Sequence, residues 1–194
     1  MKKLNEMEKN APNMYFHSFL QTDHALNMIN VYEVAFDNYS FQKAITECVH
    51  LGFATVFNRK LRDKVLQGVD IDIVSHDWWV EMVVMAFGNV YYDRYIGAKH
   101  RRLKDSVSSN KLKKRLEWFG TALKGESEIH KLTRAFGHVY KDELNATDSK
   151  VLDLFVYDGY SFIKAIKKVC YLQRWRSSCV SELSLRFLML LGKI

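Results

Sequence analysis

The string Ser75-His76-Asp77-Trp78-Trp79 gathers the groups of this sequence best suited to acid–base chemistry. A carboxylate and an imidazole stand directly before two indoles, and an apolar run follows as far as Phe87. Asp77 suits an N-cap or first-turn position, where unpaired backbone N–H groups and the helix dipole favour its ionised form. A carboxylate at the mouth of an apolar helix, beside aromatic rings, is also how a general base is held next to a sugar. Trp78 and Trp79 likewise suit either core packing or a platform on which a sugar stacks. Residue type and spacing leave both pairs of alternatives open. The three cysteines, Cys48, Cys170 and Cys179, are far apart, odd in number and without metal-ligand spacing. They read as buried or free thiols of a reducing compartment.

These groups must be carried by elements that the periodicity predicts. Met14–Ser18 reads as a strand, after a helix end over Lys3–Lys9. Phe41, Ala44, Ile45, Cys48 and Val49 mark one helical face, and Gly52–Phe57 reads as a buried strand. Asp77–Phe87 is nearly all apolar, which predicts a helix buried on every side, stopped at Gly88 and followed by a strand over Asn89–Tyr92. Beyond about Asn110 the pattern is helical throughout. Leu112, Leu116, Phe119 and Leu123 share one face; Phe162, Ile166 and Val169 share another, with Lys164, Lys167 and Lys168 away from it. Ser181–Leu191 closes the chain as an apolar helix interrupted by Arg186. The fold class expected is α/β, over about residues 1–109, followed by a basic all-helical region over 110–194.

Composition bounds the rest. With 194 residues, 48% of them hydrophobic, the chain can bury a core, and one domain with an appendage is expected. A single proline and nine glycines exclude a linker or a disordered chain. The net charge of +7 is unevenly placed: eight Lys/Arg against Asp105 over 99–115, and seven against Glu182 over 164–193. Such stretches suit nucleic acid, an anionic membrane, substrate phosphates, or plain solvation. The aromatic residues fall in predicted buried helices rather than alternating with exposed Lys/Arg, which argues against nucleic acid. The polar start of the sequence lacks a signal peptide's apolar core, and no apolar run of about 18 residues is present. The expectation is a cytoplasmic chain.

Four segments, in order, resemble family 2 glycosyltransferases, and most closely the rhamnosyltransferases that build cell-surface polysaccharides. His76-Asp77-Trp78-Trp79, its apolar helix and Ala86-Phe87-Gly88-Asn89-Val90-Tyr91-Tyr92-Asp93 are similar to a family motif. Gly52-Phe53-Ala54-Thr55-Val56-Phe57-Asn58-Arg59-Lys60-Leu61 resembles the family's "GCTMVFNRKL" segment. Tyr15-Phe16-His17-Ser18, with Asp23 and Asn27, resembles its "YYSN…VDEN" strand and turn, and Arg174-Trp175-Arg176-Ser177-Ser178 its basic C-terminus.

The resemblance implies a GT-A fold of which this chain is the C-terminal, acceptor-side part. It makes Asp77 the catalytic base that deprotonates an acceptor hydroxyl, with inversion at the sugar's anomeric carbon. His76, Trp78 and Trp79 become substrate-binding, and Arg101 meets a phosphate. The family's "YRxHxxNVV" segment matches His100–Val107 without a gap, which puts Leu103 at its His and His100 at its Tyr. The family's Asp-x-Asp motif, which holds Mg or Mn and the donor diphosphate, belongs before the helix that opens this chain. Asp70 and Asp72 have its spacing in another segment. The expectation is therefore a truncated or degenerate form, inactive alone, or the acceptor half of a split enzyme completed by a partner chain. Nucleotide sugar, a glycan or lipid-linked acceptor and a peripheral place at the inner membrane face follow from the same resemblance.

Overall fold

The computed structural model describes residues 10–34, 36, 39–68, 75–102, 117, 119–123, 127–156 and 158–194. The expected helix over 3–9, most of the 112–123 stripe, Asp70, Asp72 and Leu103 lie outside the described residues.

The fold is mixed α/β, as the sequence predicts. Strands β1 (Asn13–Thr22), β2 (Met28–Tyr32), β3 (Thr55–Phe57) and β4 (Asn89–Arg101) form one mixed sheet. β1 is its spine. β4 runs parallel to β1 from Asn13↔Asn89 to Thr22↔Arg101, with bulges that leave Arg94, Tyr95 and Gly97 unmatched. Along the other edge, β3 pairs antiparallel with Met14–Phe16 and β2 with Phe19–Thr22, end to end. The expected strand at Asn89–Tyr92 thus runs on to Arg101.

Two short elements differ from the sequence reading. Helix α1 (Phe41–Ala44) ends well before the face that continues to Val49. β-Branched Ile45 and Thr46 favour helix weakly, and Thr46 Oγ1 donates to the Trp175 carbonyl at 2.6 Å. Residues Gly52–Ala54 form a 3-10 turn, not strand, and Phe53, Val56 and Phe57 are exposed, not buried. The N–H of Gly52 is taken by a side chain rather than by a neighbouring strand.

Helix α2 (Arg59–Val65) is capped by Asn58, whose Oδ1 accepts from Leu61 N. Helix α3 (His76–Phe87) is capped by Ser75, so Asp77 is a first-turn residue and not the cap. It stops at Gly88, and its buried residues include Trp78, Trp79 and Met82–Val84. Residues 119–123 are helical, and helices α4 (Glu128–Tyr140), α5 (Ala146–Phe155), α6 (Phe162–Val169) and α7 (Cys179–Leu190) come after them. One core joins both regions of the chain. Phe136 of α4 meets Phe41 and Trp79, and Tyr140 donates to the Lys64 carbonyl. The basic segment at Arg174–Ser178 is an anchor: Trp175 is fully buried against Phe155, and Arg176 Nε donates to the Thr46 carbonyl. No helix among the described residues is long and apolar enough to cross a membrane.

Helix α6 is turned from its expected orientation: Val169 packs against the core and Lys167 is exposed, as the stripe predicts, but other positions exchange. Phe162 and Ile163 are 64% and 67% exposed and Ile166 is exposed, while Lys168 is buried. The Lys168 Nζ lies 5.3 Å from the Phe155 ring centre and donates to the Ile194 carbonyl. Burial, with the Lys164 charge as a second cause, lowers its pKa from 10.5 to about 8. Below about 8 both folded and unfolded chains hold the proton, and the cost of burying the charge is fully present. Between about 8 and 10.5 only the unfolded chain holds it, so stability should rise with pH, by up to about 2 kcal/mol at pH 9.5. Urea unfolding at pH 7 and 9.5 should show this rise, and Lys168→Met should lack it. An equal rise in both proteins would assign it to other groups.

Candidate functional site

Helix α3 presents two carboxylates, Asp77 and Glu81, four residues apart and therefore on one face. Asp77 is half-buried at the helix start. Its Oδ2 accepts from Gly52 N at 3.1 Å, and a Cβ at residue 52 would lie 2.7 Å from Asp77 Oδ1, so any larger residue there would push the carboxylate aside. One backbone donor leaves most of the carboxylate's accepting capacity unused by that tether. His76 is exposed beside it.

Trp78 and Trp79 are core residues. Neither indole offers a face on which a sugar could stack: Trp78 Nε1 donates to the Ala44 carbonyl at 2.5 Å, and Trp79 packs over Gly68 and donates to the Val65 carbonyl. The helix that holds Asp77 at its mouth needs both rings inside to bury its apolar surface.

The end of β4 approaches the same place through one aromatic stack. The Phe53 ring, next to the Gly52 tether, stacks on His100 at 4.9 Å, and both rings contact Phe19. His100 Nδ1 and Thr22 Oγ1 are the two buried polar side-chain atoms without a hydrogen-bond partner among the described residues. Arg101 is exposed at the end of the strand.

Glu81, which the sequence reading passed over, is the most heavily engaged side chain of the group. It is 1% exposed. Oε2 accepts from His50 Nδ1 at 2.6 Å, Val49 N at 3.0 Å, His50 N at 3.2 Å and Cys48 Sγ at 3.2 Å. Oε1 accepts from Tyr39 OH. Cys48 Sγ and His50 Nδ1 are 3.8 Å apart. Burial, reinforced by the Glu81 charge, pushes both the Cys48 thiol and the Tyr39 hydroxyl well above their ordinary pKa values. Such a thiol is a poor nucleophile, since the thiolate is the reactive form. The histidine cannot act as a relay either, because thiol and imidazole converge on the same carboxylate oxygen.

One signal in the sequence could have found this cluster: between Asp77 and Asp93, Glu81 is the single charged residue in a run otherwise fit for the core. A charge on a helix buried all round must be paired by something. Set against known protein families, curated proteins and solved structures, the chain matches no family model, no curated protein and no structure.

Proposed function

We propose that this chain is the acceptor-side part of an inverting glycosyltransferase of family 2 and GT-A type, similar to rhamnosyltransferases, with Asp77 as its base. The observation that carries this reading is the seating of Asp77. The half-buried carboxylate stands at the start of an apolar helix, tethered by a single backbone N–H, with exposed His76 beside it. In the reaction Asp77 takes the proton of an acceptor hydroxyl. The freed oxygen attacks the anomeric carbon from the face opposite the nucleoside diphosphate, whose bond to the sugar breaks. His76 orients Asp77 or the acceptor. Arg101 is exposed at the strand end that approaches Gly52 and suits a phosphate.

The nucleotide sugar and its Mg or Mn are bound in this reading by the family's first βαβ half. That half either precedes these residues in a longer chain or comes from a partner chain. The acceptor is a glycan, free or lipid-linked. Exposed Phe162, Ile163, Leu183 and Phe187, with Lys164, Lys167 and Arg174 nearby in sequence, support a peripheral seat on an anionic membrane.

The test combines the chain with a family donor half, metal, a panel of nucleotide sugars and a glycan acceptor. Transfer is expected, and Asp77→Asn, folded as the wild type by circular dichroism, should reduce it about 100-fold or more. Transfer at an undiminished rate in Asp77→Asn would remove the proposed base.

A further inference from the structure

We infer that Cys48, His50 and Glu81 form a binding site for one zinc-type divalent cation, independent of the sugar-transfer reading. Their ligand atoms all lie within 4.8 Å of one another, from two separate segments of the chain. Thiolate, imidazole and carboxylate together form a borderline-soft set that suits Zn²⁺ and is a poor match for Mg²⁺ or Ca²⁺.

The geometry is near that of a filled site. Tetrahedral zinc, with bonds of about 2.0 Å to N or O and 2.3 Å to S, sets ligand–ligand edges of about 3.3–3.5 Å. The S···N and S···O edges here are 3.8 and 3.2 Å. The S···O edge must open by about 0.3 Å, and the 2.6 Å edge between His50 and Glu81 by about 0.7 Å. The latter is short because a proton lies there instead of a cation.

The hydrogen-bonded arrangement is also overfilled. Four donors converge on Glu81 Oε2, an oxygen with two lone pairs. A cation at the centre of the triangle relieves this crowding. The Cys48 thiol gives its proton to solvent and binds as thiolate. The proton on His50 Nδ1 is exchanged through solvent for one on Nε2, and the neutral ring binds through Nδ1. Both donor hydrogens then leave Oε2, and the two backbone N–H groups remain.

An outer shell already stands in place. Tyr39 OH holds Glu81 Oε1, and the backbone of Val49 and His50 orients the carboxylate. His50 and Glu81 are buried and Cys48 is half-buried, so the cation enters from the cysteine side, where the fourth position takes water. The thiol also feels the Asp77 charge, one helical turn before Glu81. A cation seated here would fix residues 48–50, two positions before the Gly52 N–H that tethers Asp77.

The experiment uses the whole chain, stripped of metal with a chelator and titrated with Co²⁺ and then Zn²⁺. One equivalent of Co²⁺ should give a thiolate-to-metal absorption band and the visible bands of tetrahedral cobalt, both bleached by Zn²⁺. Cys48→Ser and His50→Ala should weaken Co²⁺ binding by about 100-fold or more, while Cys170→Ser and Cys179→Ser leave it unchanged. Should a Cys48 or His50 variant not fold, the wild type alone decides. Zn²⁺ should then protect Cys48, but neither exposed cysteine, from alkylation mapped by mass spectrometry. No thiolate band, or equal alkylation of Cys48 with and without Zn²⁺, would leave the cluster as a hydrogen-bonded network and overturn the site.

Discussion

Glu81→Ala should leave the metal-free chain unfolded or close to it. The substitution removes the acceptor of the Val49 and His50 N–H groups and of the His50 ring, while Tyr39 OH keeps the Glu47 carbonyl at 2.7 Å and the Cys48 thiol the His50 carbonyl at 3.6 Å. The methyl group left behind accepts nothing, and water entering past half-buried Cys48 can replace only part of what is lost. Each buried donor left unsatisfied costs about 1–3 kcal/mol, and relaxation of the 48–50 segment can recover only part of the sum. A loss of about 3–5 kcal/mol or more is expected, against a total stability of about 5–15 kcal/mol for a chain of this kind. Glu81→Gln keeps the shape and one acceptor oxygen but turns an amide toward donors, so it should lose about 1–3 kcal/mol. Urea unfolding followed by tryptophan fluorescence measures both. A loss under about 1 kcal/mol in Glu81→Ala would mean that the network contributes little to the fold.

Trp79→Ala should cost about 3–5 kcal/mol, the range for removing a large ring from a packed core. Trp79 is 1% exposed and sits where three elements meet. Its ring covers Gly68, where a Cβ would come within 2.3 Å, and it contacts Phe136 and Tyr140 of α4 at 5.5 and 5.7 Å. Removing it separates α3 from the C-terminal helices, so the unfolding transition should broaden as well as shift. Trp78→Phe forgoes one hydrogen bond to the Ala44 carbonyl and should cost about 1 kcal/mol beyond its change in volume. Thermal melts of the two variants check the ranking. Near-wild-type stability in Trp79→Ala would release that ring for contact with ligands.

The elements legible in the sequence were those whose pattern and punctuation agree. Helix α3, its stop at Gly88 and the start of β4 are of this kind, as are β1 and the helical character of the C-terminal region. The departures share one physical origin: long-range contacts that override a local pattern. Thr46 and Glu47 turn toward Trp175 and Ser177, so the face from Phe41 to Val49 does not continue as helix. Lys168 goes inward because a carbonyl and an aromatic face wait for its ammonium, and Phe162 and Ile166 of α6 are displaced outward. For the site, Asp77 was legible through its place before an apolar helix. Its partner Gly52 and the cluster around Glu81 were not, since Cys48, His50 and Glu81 come from segments whose meeting no spacing rule encodes.

The parallel pairing of β1 with β4 bears on the order in which the chain folds. Asn13 and Asn89, hydrogen-bonded across that pair, are 76 residues apart, and every residue of the Asp77 and Glu81 groups lies between them. Closing a loop of this length costs about 4 kcal/mol of chain entropy before any contact repays it. Hairpin-like pairing of β1 with β2 and packing of α4 on α5 involve short separations and can form early. The contacts of Asp77 and Glu81 close over 25 to 42 residues within that loop, so they can form before β4 docks on β1. The β1–β4 seam then closes last, around side-chain groups that have already met.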